Sequence, residues 1–344
     1  MGDRPPRSAP GPLVAGLDLG GTKVLGQVLD PIDPHRALAT ARLDTPRGAD
    51  AIIGAMVDLV GLLNDDLGRQ GWGPIEAIGA GVAGLVDRQG TIRFAPNLPG
   101  VIDLDVRGAL AVATGLPVVV DNDANTATVA EHRIGSGRGA DDLVLVTLGT
   151  GIGGGIVIAG ELRRGAAGFA GEPGHMVVDP NGPPCPCGRR GCWERFASGS
   201  GLGRLARDAA HAGRADGIVI LAGGDPEDVK GEHVTSAAAD GDADAITLMA
   251  EFGWWVALGV ANLENLLDPE VVVIGGGLAD AGELLLGPIR AAYATLVLAY
   301  DHRPPVRIVG AELGADAGAI GAGLLALELL APGAHRSTNP VRSA

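Results

Sequence analysis

The sequence predicts an α/β protein of two similar lobes facing one another across a cleft, on three observations. The chain has 344 residues, more than one hydrophobic core usually serves. Short Val/Leu/Ile-rich segments alternate with longer ones whose apolar residues recur at helical spacing. A strand, a glycine turn and a second strand also occur together twice. The turns are Asp18-Leu-Gly-Gly-Thr22 and Thr147-Leu-Gly-Thr-Gly151, about 130 residues apart, roughly the span of one α/β domain.

In chain order, the first lobe opens with strands at Leu13–Leu19, Lys23–Leu29 and Ala37–Leu43. A helix over Ala49–Leu67 follows, apolar at Ile52, Ile53, Met56, Leu59, Val60 and Leu63. Next come a strand at Ile75–Val82, a loop through Asn97, a helix near Val106–Thr114 and a strand at Pro117–Val120. The second lobe repeats the opening with strands at Asp142–Leu148 and Gly154–Ala159. A Gly/Pro/Cys-rich loop covers 160–193, and helices resume at about 197–212 and 243–266. A strand at Val271–Ile274 ends in Gly275-Gly276-Gly277, and a last strand lies near Val306–Val309. The final helix, about 315–331, carries Ala317, Gly318, Ala319, Gly321 and Ala322, small enough for very close packing on its neighbour. Residues 1–12 and 332–344 read as flexible tails. The smaller N-terminal lobe is then 13–133 with the final helix packed back on it, and the larger C-terminal lobe 134–314.

Composition excludes several classes. The 57 glycines are more than twice the usual ~7% share. With 23 prolines they still fall short of a disordered composition, so they serve turns and close backbone approaches. The net charge of −15 and the lack of any long basic run argue against nucleic-acid binding. No 18-residue uninterrupted apolar run is present and the N-terminus has no secretory signal pattern, so neither membrane nor export is expected. All three cysteines lie between 185 and 192, a cluster that fits a metal clip in a reducing cytoplasm better than a disulfide framework.

The Gly-x-x-x-x-Gly-Lys-Ser/Thr pattern of P-loop proteins is absent. Gly149-Thr-Gly151-Ile-Gly-Gly154 matches a dinucleotide fingerprint but leads into a strand where that fingerprint requires a helix, so the dinucleotide reading fails. The two glycine turns can be plain hairpin turns, or amide and hydroxyl cradles for phosphate oxygens; their repetition favours phosphate. Gly275–Gly277 is either a strand-to-helix turn or a flat platform for a purine. Asp121-Asn-Asp-Ala-Asn125, at the end of a buried strand, can cap the next helix or supply a general base with amides for a polyhydroxylated ligand. The most specific local signal is His175 with Cys185-Pro-Cys187-Gly-Arg-Arg-Gly-Cys192: three thiols and an imidazole fill a tetrahedral zinc site and leave no open position. Glu172 and Glu194 flank it and would be held rigidly.

Taken together, these motifs resemble the ROK family of sugar kinases and repressors over about residues 13–330. The resemblance rests on Gly16-Leu-Asp-Leu-Gly-Gly-Thr-Lys23, Asn122-Asp-Ala-Asn125, Leu148-Gly-Thr-Gly-Ile-Gly-Gly154, Gly171-Glu-Pro-Gly-His175, the Cys185–Glu194 segment and Ile274-Gly-Gly-Gly277. It implies a two-lobed actin/hexokinase-like fold with a zinc loop at 171–194, closing on its ligands, and ATP- and Mg²⁺-dependent phosphorylation of a hexose, with zinc-containing glucokinases the most similar branch. Carried over by position, Asp123 becomes the catalytic base, with Asp121 the competitor two residues before it. Gly84, Asn97, Asn122, Glu172, His175 and Glu194 hold the sugar. Asp18 positions Mg²⁺; Gly20, Gly21, Thr22 and Lys23 line one side of the nucleotide phosphates and Thr147, Gly149, Thr150 and Gly151 the other. Gly276 and Gly277 flank adenine, while His175, Cys185, Cys187 and Cys192 hold a structural Zn²⁺. A cytoplasmic homodimer or homotetramer is implied. Other hexoses, such as N-acetylglucosamine, N-acetylmannosamine, mannose or fructose, would use the same base and phosphate turns. The family's repressors carry a DNA-binding domain before the first glycine turn, where this sequence has about a dozen residues.

Overall fold

A computed structural model describes residues 11–331. The expected tails at 1–12 and 332–344 lie outside the described residues except for Gly11 and Pro12. The chain divides into two units. Among the described residues, one contains 11–130, 164–169 and 316–331; the other contains 131–163 and 170–315.

The first unit is built on β1 (Val14–Leu19), β2 (Lys23–Leu29), β3 (Ala37–Asp44), β4 (Ala77–Val82) and β8 (Val118–Asn122), with α1 (Ala49–Gln70) and α2 (Val106–Thr114). Its sheet has the order β3-β2-β1-β4-β8. β1 pairs antiparallel with β2 and parallel with β4, and β4 continues parallel to β8. In register, Asp18, Gly81 and Asp121 lie side by side, one residue before the row Leu19, Val82 and Asn122. Polar residues therefore gather at the C-terminal edge of parallel strands, where open α/β sheets bind ligands. α1 buries Ile52, Met56, Leu59, Val60, Leu63 and Leu67 on the sheet, the stripe that the helical spacing predicts.

The loop expected between Val82 and Asn97 contains β5 (Leu85–Val86) and β6 (Thr91–Phe94), which form a small antiparallel sheet with β7 (Leu104–Asp105). These strands are too short for alternation to reveal them. α3 (Asp123–Arg133) begins directly at the end of β8. The last helix, α10 (Ala317–Leu330), packs on β1 and β4. A Cβ at Gly16 would overlap the carbonyl of Ala319, and one at Gly79 that of Ala322. Backbone therefore lies against backbone, which is why the small residues recur there.

The second unit repeats the plan. β9 (Leu143–Leu148), β10 (Ile152–Ile158), β11 (Glu161–Leu162), β12 (Val271–Gly275) and β13 (Arg307–Gly310) have the order β11-β10-β9-β12-β13. The parallel and antiparallel pairings follow the same sequence as in the first unit. Its helices are α4 (Glu194–Ala197), α5 (Gly199–His211), α6 (Asp216–Leu221), α7 (Gly231–Ala239), α8 (Ala243–Leu267) and α9 (Glu283–Leu296). Of these α4, α6, α7 and α9 escape the sequence reading: α4 has four residues and α6 six, α7 is mostly small residues, and α9 carries Pro288 inside it. α8 is long and apolar enough to cross a membrane by length and composition alone, but more than half of that stretch is buried in this unit.

Candidate active site

In the first unit, Asp18 sits half-buried at the end of β1, beside the exposed turn of Gly21, Thr22 and Lys23. The Gly20 amide donates to the Lys23 carbonyl at 2.9 Å, and Thr45 ties the turn down through its hydroxyl to Gly20 (2.7 Å) and its amide to Thr22 (3.0 Å). A Cβ at Gly21 would come within 3.0–3.2 Å of Asn97, so the exposed Asn97 loop passes directly over this glycine. On the other side, a Cβ at Gly318 would stand 2.7–3.0 Å from the Asp18 carboxylate, which places the first turn of α10 under that side chain.

Asp121, Asn122 and Asp123 have three different environments. Asp121 Oδ1 accepts from the Asn122 amide and from Asn125 Nδ2, both at 2.8 Å, and Oδ2 accepts from Arg164 Nε. Both its oxygens are committed within the protein. Asn122 Oδ1 accepts from the Asn125 amide at 3.1 Å, an N-cap bond for α3, and its Nδ2 donates to the Gly84 carbonyl at 3.0 Å. Gly84 has φ 130°, a conformation that favours glycine. Asn122 therefore caps the helix, as one of the two sequence readings expected, and the helix that it caps begins at Asp123. Asp123 opens α3, and its Oδ1 accepts from the Ala124 amide at 2.9 Å. Burial pushes its carboxyl above the usual range against those stabilising amides. Burial, and then the neighbouring Asp123, push Asp18 up to about 7.

In the second unit, the β9–β10 turn is closed by Gly149 N–H to Gly151 C=O (3.0 Å) and by Gly153 N–H to the Thr147 hydroxyl (3.2 Å). The start of α5 backs this turn. The Gly199 amide donates to Gly149 C=O at 2.8 Å, and the Ser200 hydroxyl donates to Thr150 C=O at 2.8 Å. Gly276 has φ 80°, and a Cβ there would strike the backbone of Leu148; Gly277 faces open space. A Cβ at Gly151 would lie 2.8 Å from Glu194 Oε2, so this carboxylate and the glycine turn are neighbours.

The ligand atoms of His175, Cys185, Cys187 and Cys192 all lie within 4.8 Å of one another. Cys187 and Cys192 Sγ are 3.5 Å apart, and His175 Nδ1 is 4.0 Å from Cys185 Sγ. A tetrahedron with ~2.3 Å zinc–sulfur bonds has edges of about 3.8 Å, so the donors fit zinc in both spacing and chemistry. Burial pushes the thiols of Cys185 and Cys192 up, so holding them as thiolates calls for a cation. Nδ1 faces the thiols, which leaves Nε2 for another partner. Glu194 Oε1 lies 3.9 Å from that Nδ1 and 3.1 Å from Cys185 Sγ. Trp193, fully buried, joins this loop to α8 through Nε1 to the Trp255 carbonyl at 2.7 Å.

The first unit thus holds Asp18, Gly20–Lys23, Gly84, Asn97, Asn122 and Asp123; the second holds Thr147–Gly151, Glu172, His175, Glu194, the thiols and Gly276–Gly277. Sequence reasoning gave no role to Arg164 or Thr45, and read Gly318 only as a close-packing residue of the final helix. An arginine in a Gly/Ala-rich loop carries no motif, and its partner lies 43 residues away.

A sequence model of the ROK family matches residues 14–329. The chain is 40% identical over 324 residues to a glucokinase of Streptomyces coelicolor, covering 92% of this chain and 98% of that one. It is 28% identical over 316 residues to a xylose repressor of Bacillus subtilis, covering 89% of this chain and 74% of the repressor. Its fold matches the crystal structure of a ROK family glucokinase from Streptomyces griseus in complex with glucose and AMPPNP, with a TM-score of 0.81 and 40% identity, over 91% of this chain and 99% of that one.

Proposed function

We propose, from the premise that this chain belongs to the ROK family, that it transfers the γ-phosphoryl group of ATP to the 6-hydroxyl of glucose. The observation that carries the reading is the contrast between two neighbouring carboxylates. Asp121 has both oxygens committed to protein donors, whereas burial raises Asp123 toward the range of a useful proton acceptor.

Asp123 would accept the proton of the 6-hydroxyl as that oxygen attacks phosphorus and the bond to the leaving phosphate breaks. Asn122, Asn97 and the Gly84 backbone would orient the sugar from the first unit, and Glu172, Glu194 and His175 Nε2 from the second. The amides and hydroxyls of Gly20–Lys23 and of Thr147–Gly151 would hold the phosphate oxygens, and Gly276–Gly277 the adenine. Asp18 would hold Mg²⁺, which supplies charge neutralisation to the transferred group. Zinc at His175, Cys185, Cys187 and Cys192 would fix the imidazole tautomer and the loop that carries Glu194. ATP as donor and a set of free thiols fit a reducing cytoplasm.

The test is ATP-dependent turnover by the purified, zinc-loaded chain on glucose, mannose, fructose, N-acetylglucosamine and N-acetylmannosamine. Glucose should lead in kcat/KM by tenfold or more. An amino sugar leading would replace the substrate while keeping the base; no turnover with any hexose would move the reading to a sugar sensor.

A further inference from the structure

Arg164 follows β11 within two residues, and residues 164–169 pack with the first unit. The segment is fixed there from several directions. The Arg88 amide donates to Ala167 C=O at 3.2 Å and Arg88 Nε to Gly165 C=O at 2.8 Å, and a Cβ at Gly168 would stand 2.7 Å from the Val86 carbonyl. From that fixed segment Arg164 reaches Asp121, whose side chain is only 6% exposed.

Asp121 in turn organises the start of α3. Oδ1 holds the Asn122 amide and Asn125 Nδ2, while Oδ2 holds Arg164. Asn125 is buried, and among the described residues its Oδ1 has no hydrogen-bond partner while its Nδ2 donates to Asp121, so that bond orients its side-chain amide. Asn122 carries the next link, capping α3 and gripping Gly84. A nearly buried carboxylate without its cation is an uncompensated charge. Asp121 would then turn toward water, releasing Asn122 and Asn125, the residues on either side of Asp123.

We infer that Arg164 is a positioning residue for phosphoryl transfer: through Asp121 it fixes the Asn122 and Asn125 contacts that aim Asp123. The inference rests on Asp123 being the base, as proposed above. The hydrogen bond and ion pair of Arg164 seen among the described residues go to Asp121.

The experiment compares the wild-type chain, Arg164→Gln and Arg164→Lys by steady-state kinetics and by amide hydrogen exchange. Arg164→Gln should lower kcat about 10- to 100-fold, the scale of a small misplacement of a reacting group. KM for glucose and ATP should stay within about threefold, and Arg164→Lys, which retains the charge, should recover most of the loss. Exchange at the Asn122 and Asn125 amides should rise in Arg164→Gln while β1 and β4 remain protected. Unchanged kcat, or loss of protection throughout β1 and β4, would overturn the inference. If the wild-type chain phosphorylates no hexose, the proposed function fails by itself. The exchange at Asn122 and Asn125 still decides whether Arg164 holds this turn.

Discussion

Asp121 and Asp123 stand two residues apart and do different work because β8 ends between them. Asp121 belongs to the strand and points to Arg164; Asp123 belongs to the first turn of α3 and lies near Asp18. Asp123→Asn keeps the shape and removes the proton acceptor, so kcat should fall roughly 10²–10⁴-fold while glucose still binds. Wild-type kcat should also decline on acidification at a pH above the ordinary carboxylate range, because burial raises Asp123 and protonation disables it. Retention of more than a few per cent of turnover by Asp123→Asn would refute its role. Asp18 tests the cost of such a site. Its carboxyl is pushed up to about 7 in the folded chain, against about 3.9 when unfolded. The folded state therefore holds the proton more tightly, and this group's stabilising contribution is lost as pH rises from about 4 to about 7. Asp18→Asn should melt higher than wild type at pH 8, with the advantage shrinking toward pH 5, and should lose turnover. A lower melting point at pH 8 would mean that the carboxylate has a structural role. These carboxylates were legible as candidates in the sequence, and the family resemblance already favoured Asp123; the pairing of Asp121 was not legible, because Arg164 meets it only through the fold.

Among the elements, the Cys/His loop has the least regular structure and the clearest sequence signature. Apart from a single turn at Pro173–His175, it is held by isolated bridges between Val177 and Cys192 and between Pro184 and Arg190. Its largest apolar anchor is Trp193, which lies so close to Gly259 of α8 that any side chain there would overlap the indole, and Met176 and Val178 pack on the same core. If the proposed zinc binds here, it should contribute to the order of this loop, since binding free energy at such a site is folding free energy. Chelation of the proposed zinc should lower the thermal midpoint and weaken glucose binding, with partial recovery on adding zinc back. Full glucose affinity in chain shown to be metal-free would sink that role. The ligand spacing was readable because tetrahedral coordination fixes residue type and number. The loop's attachment to α8 was not, since nothing in the sequence of α8 marks Gly259 as the seat of an indole.

For the molecule as a whole, the repeated strand order is what the two glycine turns already suggested. Each unit presents a strand–turn–strand at the start of its sheet, and each sheet continues through two parallel strands. If the proposed function holds, ligands that bind the folded chain should stabilise it by mass action. Glucose and a non-hydrolysable ATP analogue at about 100 times their dissociation constants should each add about 2.7 kcal/mol, raising the melting midpoint measurably by calorimetry. An unchanged midpoint with saturating analogue would contradict nucleotide binding.

The sequence by itself determined the fold class, the repeated opening of each unit, the small-residue face of α10, the cluster of thiols and an imidazole that could hold a metal, and the short stretch Asp121–Asn125 proposed to contain the base. Each is a local pattern, set by backbone geometry, side-chain size or coordination number within a few residues. Only the tertiary structure decided that Asp121 is paired, that Arg164 crosses to reach it, that α10 lies beneath Asp18, and that α4, α6, α7 and α9 are helices. These depend on contacts between distant segments, where long-range packing and the compensation of buried charge override local propensity.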